Sequence, residues 1–249
     1  MKPNRRNVVF SSVGNHSQHR RWIDGGNRNF DLFVFYFGTG GTDFSADAEF
    51  FLARTGTKTE NFCHLYRNHP ERIAGYENVF IVDDDIVMDT VGLNRMFDLF
   101  DTHELWLAQP SYTADSHVRW PITQQDPSKV LRFTNFVEIG VMLFRRAVLD
   151  KVIDAMERSR SGWGLDMVLS QLLGDPADRI AILDLVNCTH PHRDEPEMDR
   201  VMSREEMQAE GRRLLNRYRG GEWLQPVTYG SIPRELPASR VEVETTGKK

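Results

Sequence analysis

Residues 76–85 read Tyr-Glu-Asn-Val-Phe-Ile-Val-Asp-Asp-Asp, and this stretch decides the fold. A continuous apolar run such as residues 78–82 is typical of a strand that is buried on both faces of a sheet. Three aspartates stand where this strand leaves the sheet. Because ligands in open α/β sheets bind at the carboxyl ends of strands, the stretch predicts an α/β fold with a binding site at Asp83, Asp84 and Asp85.

Short apolar runs alternate with helical patterns along the rest of the chain, which indicates βαβ construction. The predicted strands are residues 7–12, 31–37, 78–82, 105–109, 131–139, 141–144 and 180–186. The predicted helices lie around Arg20 and at residues 59–66, 91–100, 147–157 and 163–173, and a capping box at residues 203–206 opens a last one. Between two strands, a polar stretch with Pro110, Pro121 and Pro127 predicts a loop over the site.

We therefore expect one α/β domain of GT-A-like (Rossmann-like) organisation, with a mixed, mostly parallel sheet flanked by helices. The catalytic domain is expected to cover residues 1–200. Residues 201–249 are expected to form a helix and a polar tail that pack on this domain or extend from it.

Charge and composition exclude several partners. The net charge of -5 leaves no broad basic surface for a nucleic-acid backbone. Cys63 and Cys188 lie far apart without a C-x-x-C spacing, which argues against a disulfide scaffold and against a cysteine-based zinc site. A reducing compartment fits this cysteine content best. No run approaches the roughly 20 apolar residues that a transmembrane helix needs, so a cytoplasmic protein is expected.

The three aspartates themselves predict a metal site. Adjacent carboxylates repel one another, and Mg²⁺ or Mn²⁺ prefers oxygen ligands that it bridges to substrate phosphates. The simpler interpretation is a solvated acidic turn or a helix cap. A nuclease, a phosphatase or a nucleotidyltransferase would also use such a triplet, so these residues locate a metal without naming the reaction.

Several nucleotide and hydrolase motifs are missing. The glycine-rich residues 38–43 do not match the phosphate-binding pattern G-x-x-x-x-G-K-[ST], and no G-x-G-x-x-G follows a strand. Residues 162–166, Gly-Trp-Gly-Leu-Asp, lack the serine of a hydrolase nucleophile elbow. ATP hydrolysis, dinucleotide redox chemistry and triad hydrolysis therefore lose support.

Residues 76–85 resemble the DxD segment of GT-A glycosyltransferases. Further blocks resemble a family of uncharacterised GT-A-like proteins from plants and bacteria: Ala108-Gln-Pro-Ser111, Arg132-Phe-Thr-Asn-Phe-Val-Glu138, Gly162-Trp-Gly-Leu-Asp166 and a histidine after the last strand. The blocks span residues 7–193. The resemblance implies a metal-dependent transfer of a sugar from a nucleotide-diphosphate donor, most often a UDP-sugar, to a glycan, a glycolipid head or a small hydroxylated acceptor.

The resemblance also implies roles for single residues. Asp83 is expected near the donor ribose and Asp85 on the metal that bridges the two phosphates, with Asp84 beside the donor. His190 is the first choice for an additional metal ligand and His192 the second, whereas two histidines in a surface loop are the simpler interpretation. Other donor contacts are expected from Ser11, Ser12, Gly14, Asn15, Lys58, Asn61 and Arg193. The metal set is thus Asp83, Asp85, His190 and His192, for Mn²⁺ or Mg²⁺.

Two acids compete for the role of general base. Asp166 resembles the acid that follows a Trp-Gly segment in inverting enzymes, although an acid in the first turn of a helix is also explained by the helix dipole. Glu138 is the rival, because a charge in an apolar strand needs compensation from Arg132, Arg145 or Arg146, or from an acceptor hydroxyl. If Asp166 is the base, we expect the transfer to invert the anomeric configuration of the sugar.

Two other functions stay open. A nucleotidyltransferase would use similar carboxylates, but residues 12–16, Ser-Val-Gly-Asn-His, match its basic triphosphate loop poorly. A non-catalytic nucleotide- or sugar-binding relative would keep the fold and lose turnover.

Overall fold

The structure is a computed structural model that describes residues 5–191 and 202–235. Within these ranges the chain forms nine strands and seven α-helices. The strands are β1 (Asn7–Val13), β2 (Phe30–Tyr36), β3 (Phe50–Ala53), β4 (Asn78–Val82), β5 (Leu107–Tyr112), β6 (Lys129–Thr134), β7 (Val141–Arg145), β8 (Ile180–Cys188) and β9 (Thr228–Pro233). The helices are α1 (His19–Ile23), α2 (Lys58–Asn68), α3 (Pro70–Ile73), α4 (Thr90–Thr102), α5 (Leu149–Met156), α6 (Leu165–Leu172) and α7 (Arg204–Arg219).

One sheet contains all nine strands, in the order β3-β2-β1-β4-β7-β5-β8-β6-β9. The first four positions are parallel, and helices connect β1 to β2 and β3 to β4, as in a Rossmann-like half. From β4 onward the pairing is antiparallel except between β5 and β8. The α/β fold with a mixed sheet is confirmed. The antiparallel share is larger than expected because β6 and β7 each run in the opposite direction to both of their neighbours, and β6 therefore pairs antiparallel with the edge strand β9.

Apolar side chains cover both faces of this sheet. On one face, α2, α5 and α6 bury residues such as Phe62, Val152 and Leu169. On the other face, α1 and α4 bury residues such as Trp22 and Phe97. The strands of the parallel half are buried along their whole length except for β3, as their continuous apolar sequences require. No described helix is long and apolar enough to cross a membrane.

Three differences from the predicted elements concern the site. The predicted strand over residues 131–139 ends at Thr134, because Thr134 bonds back to the amide of Phe136 and Asn135 bonds to the segment before β9. Glu138 therefore lies in a turn and not in a strand. The strands β3 and β9 and the short helix α3 were not predicted. β9 pairs with β6, so residues assigned to the polar tail extend the same sheet.

Candidate active site

Each of the three aspartates after β4 has a different partner. Asp83 forms a salt bridge of 2.7 Å with Lys58 from the start of α2, and its amide donates to the carbonyl of Gly140. Lys58 also donates to the carbonyl of Ile139 at 2.6 Å, and its side chain is only 11% exposed. Asp84 turns towards β1, where its carboxylate accepts the amide of Gly14 at 2.8 Å. These contacts tie the ends of β1, β4 and β7 together at one edge of the sheet.

Asp85 lies beside His190 at the end of β8. The two chain segments are joined by an isolated β-bridge in which Val87 and Thr189 exchange both of their backbone hydrogen bonds, at 2.9 and 3.0 Å. The bridge brings His190 Nε2 to 3.4 Å from the Asp85 carboxylate. Burial is the largest single effect and lowers the pKa of His190, but the hydrogen bond and charge of Asp85, together with the charges of Asp83 and Glu138, raise the pKa overall. We call Lys58, Asp83, Asp84, Asp85 and His190 the triplet cluster.

The donor set of the triplet cluster suits Mg²⁺ or Mn²⁺ only with help from a substrate. Among residues 5–191 and 202–235, no three His, Cys, Asp or Glu side chains form a metal site by themselves. Asp85 offers a buried carboxylate, the kind of ligand that both ions prefer, and His190 adds an imidazole beside it. Mg²⁺ is commonly bound through one or two carboxylates and completed by substrate phosphates, so these two residues fit a metal that arrives with a diphosphate.

The residues predicted to hold the nucleotide cluster around the end of β1, and several of them are engaged within the protein. The Ser11 hydroxyl donates to the carbonyl of Val82 at 2.8 Å. The Ser12 hydroxyl accepts from Asn61 at 2.7 Å. Asn15, which is exposed, accepts from the hydroxyl of Tyr36. The structure brings these residues to the same corner as Asp84, but Ser11 and Ser12 have structural bonds that a nucleotide would have to replace.

Two partly buried acids, Glu138 and Asp166, lie next to the triplet cluster, and we call them the acid pair. Burial and the charge of Asp166 raise the pKa of Glu138 to about 7, against the opposing effect of His190. Burial raises the pKa of Asp166 to about 6, against the opposing charge of Arg119. Two neighbouring acids with raised pKa values are typical of sites for proton transfer.

The arginines considered as partners of Glu138 bind elsewhere. Arg132 forms a bidentate pair with the buried Asp184, at 2.8 and 2.9 Å. Arg145 pairs with Asp101 at 2.6 Å. Among the described residues, no arginine or lysine forms a salt bridge with Glu138, so the predicted compensation by Arg132, Arg145 or Arg146 is not observed. The groups that favour its charged form are His190 and Tyr112. One Glu138 oxygen is buried without a hydrogen-bond partner in the part of the chain that the structure describes.

The predicted loop between β5 and β6 does lie over the site. The amide of His117 donates to the carbonyl of His190 at 2.8 Å. Further along, the guanidinium of Arg119 lies 4.9 Å from the ring centre of Trp163 and 5.8 Å from that of Trp120. Both tryptophans are partly exposed. The loop thus carries a cation and an aromatic surface to the entrance of the acid pair.

Sequence reasoning missed two residues of this region. Tyr112 is fully buried at the end of β5, and burial, followed by the charge of Glu138, raises its pKa well above the usual value. Its hydroxyl is buried and acts on Glu138, whose pKa it lowers through a side-chain hydrogen bond, and a side chain at Gly140 would meet it at 3.3 Å. Glu210 of α7 is the other residue, and its carboxylate accepts the amide and hydroxyl of Ser161. A tyrosine at a strand end and a glutamate on an amphipathic helix carry no signal in a single sequence.

Two predicted residues lie outside the described part of the chain. These are His192, the second choice for a metal ligand, and Arg193, the predicted phosphate partner.

Comparisons with solved structures match the fold. The crystal structure of TarS residues 1–349 from S. aureus has a TM-score of 0.53 at 15% identity, and the match covers 88% of this chain and 73% of that one. A longer TarS structure gives a TM-score of 0.50 at 14% identity, covering 87% of this chain and 43% of TarS, so this chain spans less than half of that relative. The protein therefore shares the overall fold of TarS residues 1–349.

The sequence comparisons identify the family. No curated protein sequence matches the chain. A family model described as "Protein of unknown function (DUF707)" matches residues 43–223, which include α2 to α7 and all three acids of the triplet. Since the match covers well over half of the chain, the protein belongs to the DUF707 family.

Proposed function

We propose that the protein is a metal-dependent glycosyltransferase that moves a sugar from a nucleotide-diphosphate donor, a UDP-sugar in the first instance, to a hydroxyl acceptor. The observation that carries this proposal is the meeting of Asp85 and His190 beside the Lys58–Asp83 pair. These residues come from distant parts of the chain and converge at the carboxyl ends of β4 and β8. In an open α/β sheet this edge is where ligands bind.

Asp85 and His190 are the proposed metal ligands. A bound Mn²⁺ or Mg²⁺ would stabilise the negative charge that develops on the departing nucleotide diphosphate. Asp83 has a smaller part in this set than the sequence implied, because its carboxylate already holds Lys58. The Lys58 ammonium lies at the same edge and is mostly buried, so it adds a second positive charge for a phosphate oxygen.

Asp84 and Gly14 are proposed to shape the donor site and not to contact the donor directly. Their hydrogen bond fixes the turn after β1 against the turn after β4. The exposed Asn15 follows this turn and stays available for the nucleotide. His192 and Arg193 keep their predicted roles as alternative metal ligand and phosphate partner.

The acid pair is proposed to activate the acceptor. Asp166 is the general base that removes the proton of the acceptor hydroxyl, because it lies in the first turn of α6 and faces the partly exposed Trp120 and Arg119. A direct attack assisted by one base inverts the anomeric configuration. Glu138 is the buried neighbour, and its charge state sets the field at Asp166.

A sugar-nucleotide nucleotidyltransferase is the second candidate, since it also places metal-bound carboxylates at a sheet edge. Such an enzyme needs cations after its first strand to hold a triphosphate. The turn between β1 and α1, residues 14–18, contains no lysine or arginine. A non-catalytic relative is the third candidate, but the two raised carboxyl pKa values favour proton transfer over binding alone.

The proposal is tested by calorimetric titration of UDP, GDP, CDP and ADP into the protein, with and without Mn²⁺. We expect one diphosphate to bind only with metal, and this binding to vanish in Asp85→Ala while Asp43→Asn, which alters an exposed acid, behaves as wild type. UDP-GlcNAc, with which TarS residues 1–349 have been crystallised, is the first donor for turnover assays. Equal binding without metal, or no binding of any diphosphate, would refute the proposal.

A further inference from the structure

The loop of residues 159–164 connects α5 to α6 and ends just before Asp166. Its backbone is irregular, since Gly162 and Gly164 have φ values of 83° and 86°, in the left-handed region that glycine adopts readily. A Cβ atom at Gly164 would lie only 2.7 Å from the Cα atom of Gly211 in α7. The loop therefore packs closely against α7, and its path sets where α6 begins and where Asp166, the second residue of that helix, is placed.

Glu210 on α7 supplies the hydrogen-bond acceptors for this loop. Its carboxylate accepts the amide of Ser161 at 2.9 Å, the hydroxyl of Ser161 at 2.6 Å and the amide of Arg160 at 3.3 Å. The residue is only 9% exposed. A buried carboxylate is costly unless donors surround it, and here all three donors belong to one loop.

The contact continues from Ser161 towards Asp166. The Ser161 hydroxyl accepts the amide of Trp163 at 3.2 Å, and the Ser159 hydroxyl donates to the carbonyl of Trp163 at 3.1 Å. Trp163 in turn lies below the guanidinium of Arg119, whose charge acts on Asp166. A chain of contacts thus runs from Glu210 through Ser161 and Trp163 to the acid pair.

Attachment of α7 does not by itself require a carboxylate at this position. The apolar side chains of Met207, Leu214 and Leu215 are buried on the same helix and hold it to the body. A neutral side chain at position 210 would avoid the cost of burying a charge. The fit of Glu210 to three donors of one loop therefore points to a task at that loop.

We propose that Glu210 is a positioning residue: it fixes the loop of residues 159–164 so that Asp166 meets the acceptor hydroxyl. The inference rests on the proposed function and extends it to the last helix of the family match. We expect that loss of the carboxylate leaves the fold and the donor site unchanged, whereas the loop before Asp166 becomes more mobile because it loses three hydrogen bonds. Misplacement of a catalytic group by about 1 Å can lower a rate by about 10²-fold.

The test compares Glu210→Ala and Glu210→Gln with Glu205→Ala, which removes an exposed acid from the same helix. For Glu210→Ala we expect kcat to fall by about 10- to 100-fold, with the KM for the donor and metal-dependent UDP binding unchanged. Glu210→Gln keeps one oxygen for Ser161 and is expected to lose less. Glu205→Ala is expected to match wild type.

A double-mutant cycle separates positioning from general destabilisation. If Glu210 acts through Ser161, the kcat losses of Glu210→Ala and Ser161→Ala will not multiply in the double variant. Unchanged kcat in Glu210→Ala, or losses that multiply in full, would overturn the proposal. If Glu210→Ala does not fold, as judged by circular dichroism, the same cycle is run with Glu210→Gln.

The proposed function fails differently. A wild-type protein that binds no diphosphate with metal and transfers no sugar refutes the proposed function and the role of Glu210 with it. If the wild-type protein transfers sugar and Glu210→Ala has the same kcat, the role of Glu210 is refuted and the proposed function is not.

Discussion

The triplet cluster and the acid pair are both made of carboxylates, but the protein treats their charges differently. In the triplet cluster, Asp83 lies against Lys58, Asp84 against the amide of Gly14, and Asp85 against His190. In the acid pair, burial raises the pKa values of Glu138 and Asp166 to about 7 and about 6. One region thus balances its negative charges with donors and cations, and the other keeps two acids in poorly hydrated positions.

Because their charges are treated differently, the two regions are suited to two different tasks. Carboxylates that lie against cations and N–H donors are suited to hold cations and phosphates in place. Acids with pKa values near neutrality are suited to exchange protons, because both protonation states are accessible at the working pH. Three predictions test this contrast, from the largest expected effect to the smallest.

Asp166→Asn is expected to lower the rate of sugar transfer by about 10²- to 10⁴-fold, because it removes the general base. UDP binding with Mn²⁺ is expected to stay as in wild type, since Asp166 is not part of the triplet cluster. In the wild type, the rate is expected to fall as the pH drops through about 6, where Asp166 becomes protonated. The measurement is kcat as a function of pH, with UDP-GlcNAc or another sugar donor of the nucleotide that binds best.

The matched variant is Glu138→Gln, which is expected to keep more of the rate than Asp166→Asn. If Glu138→Gln instead loses more, the two acids have exchanged roles and Glu138 is the base.

Glu138→Gln is also expected to stabilise the fold at pH 8 by about 1 to 3 kcal/mol. The pKa of Glu138 rises on folding from 4.5 to about 7, so its contribution to stability is fully present below pH 4.5 and is lost as the pH rises through 7. Glu138→Gln has no carboxyl group to ionise at this position, so its free energy of unfolding does not decrease in this way. Urea unfolding at pH 4.5 and pH 8 measures it, and a gain of the same size at both pH values would contradict the account.

Asp83→Asn is expected to act in the opposite direction and to destabilise the protein by about 1 kcal/mol, because it leaves the mostly buried Lys58 without its anionic partner. The effect is small since the Asp83 side chain is 40% exposed. Thermal unfolding should show a decrease in Tm of about 2 to 4 °C for a chain of this size. A stabilised Asp83→Asn variant would remove the contrast between the two regions.

Much of the fold was predictable because its signals are local. The apolar run before Asp83 gave β4 with its observed bounds, and the capping box at Ser203 gave the start of α7. β9 was missed because its residues are largely exposed and carry no continuous apolar run. β3 is an apolar run of only four residues, Phe-Phe-Leu-Ala, which is too short to separate a strand from other structure by its pattern.

The candidate site was predictable only where it follows strand ends. Asp85 and His190 both follow strands and were expected to meet, as they do. Lys58 was predicted to contact the donor, and its salt bridge with Asp83 was not predicted. The sequence around a lysine at the start of a helix does not indicate which carboxylate the lysine will pair with. Glu210 lies 44 residues beyond Asp166 in the sequence, and nothing but the packing of α7 against α6 brings them into one region.

The irregular pairing of β5 with β8 has a consequence for chain length. Pro110 is aligned with Leu183 and Ser111 with Asn187, so β8 carries three additional residues at this point. At about 3.3 Å per residue, these account for roughly 10 Å of strand. Deleting them to make the two strands regular would draw His190 away from Asp85, whereas lengthening the exposed loop before β8 would leave the meeting point intact. Insertions and deletions between α6 and His190 are therefore expected to be tolerated in the exposed loop up to Arg179 and not within β8, which begins at Ile180.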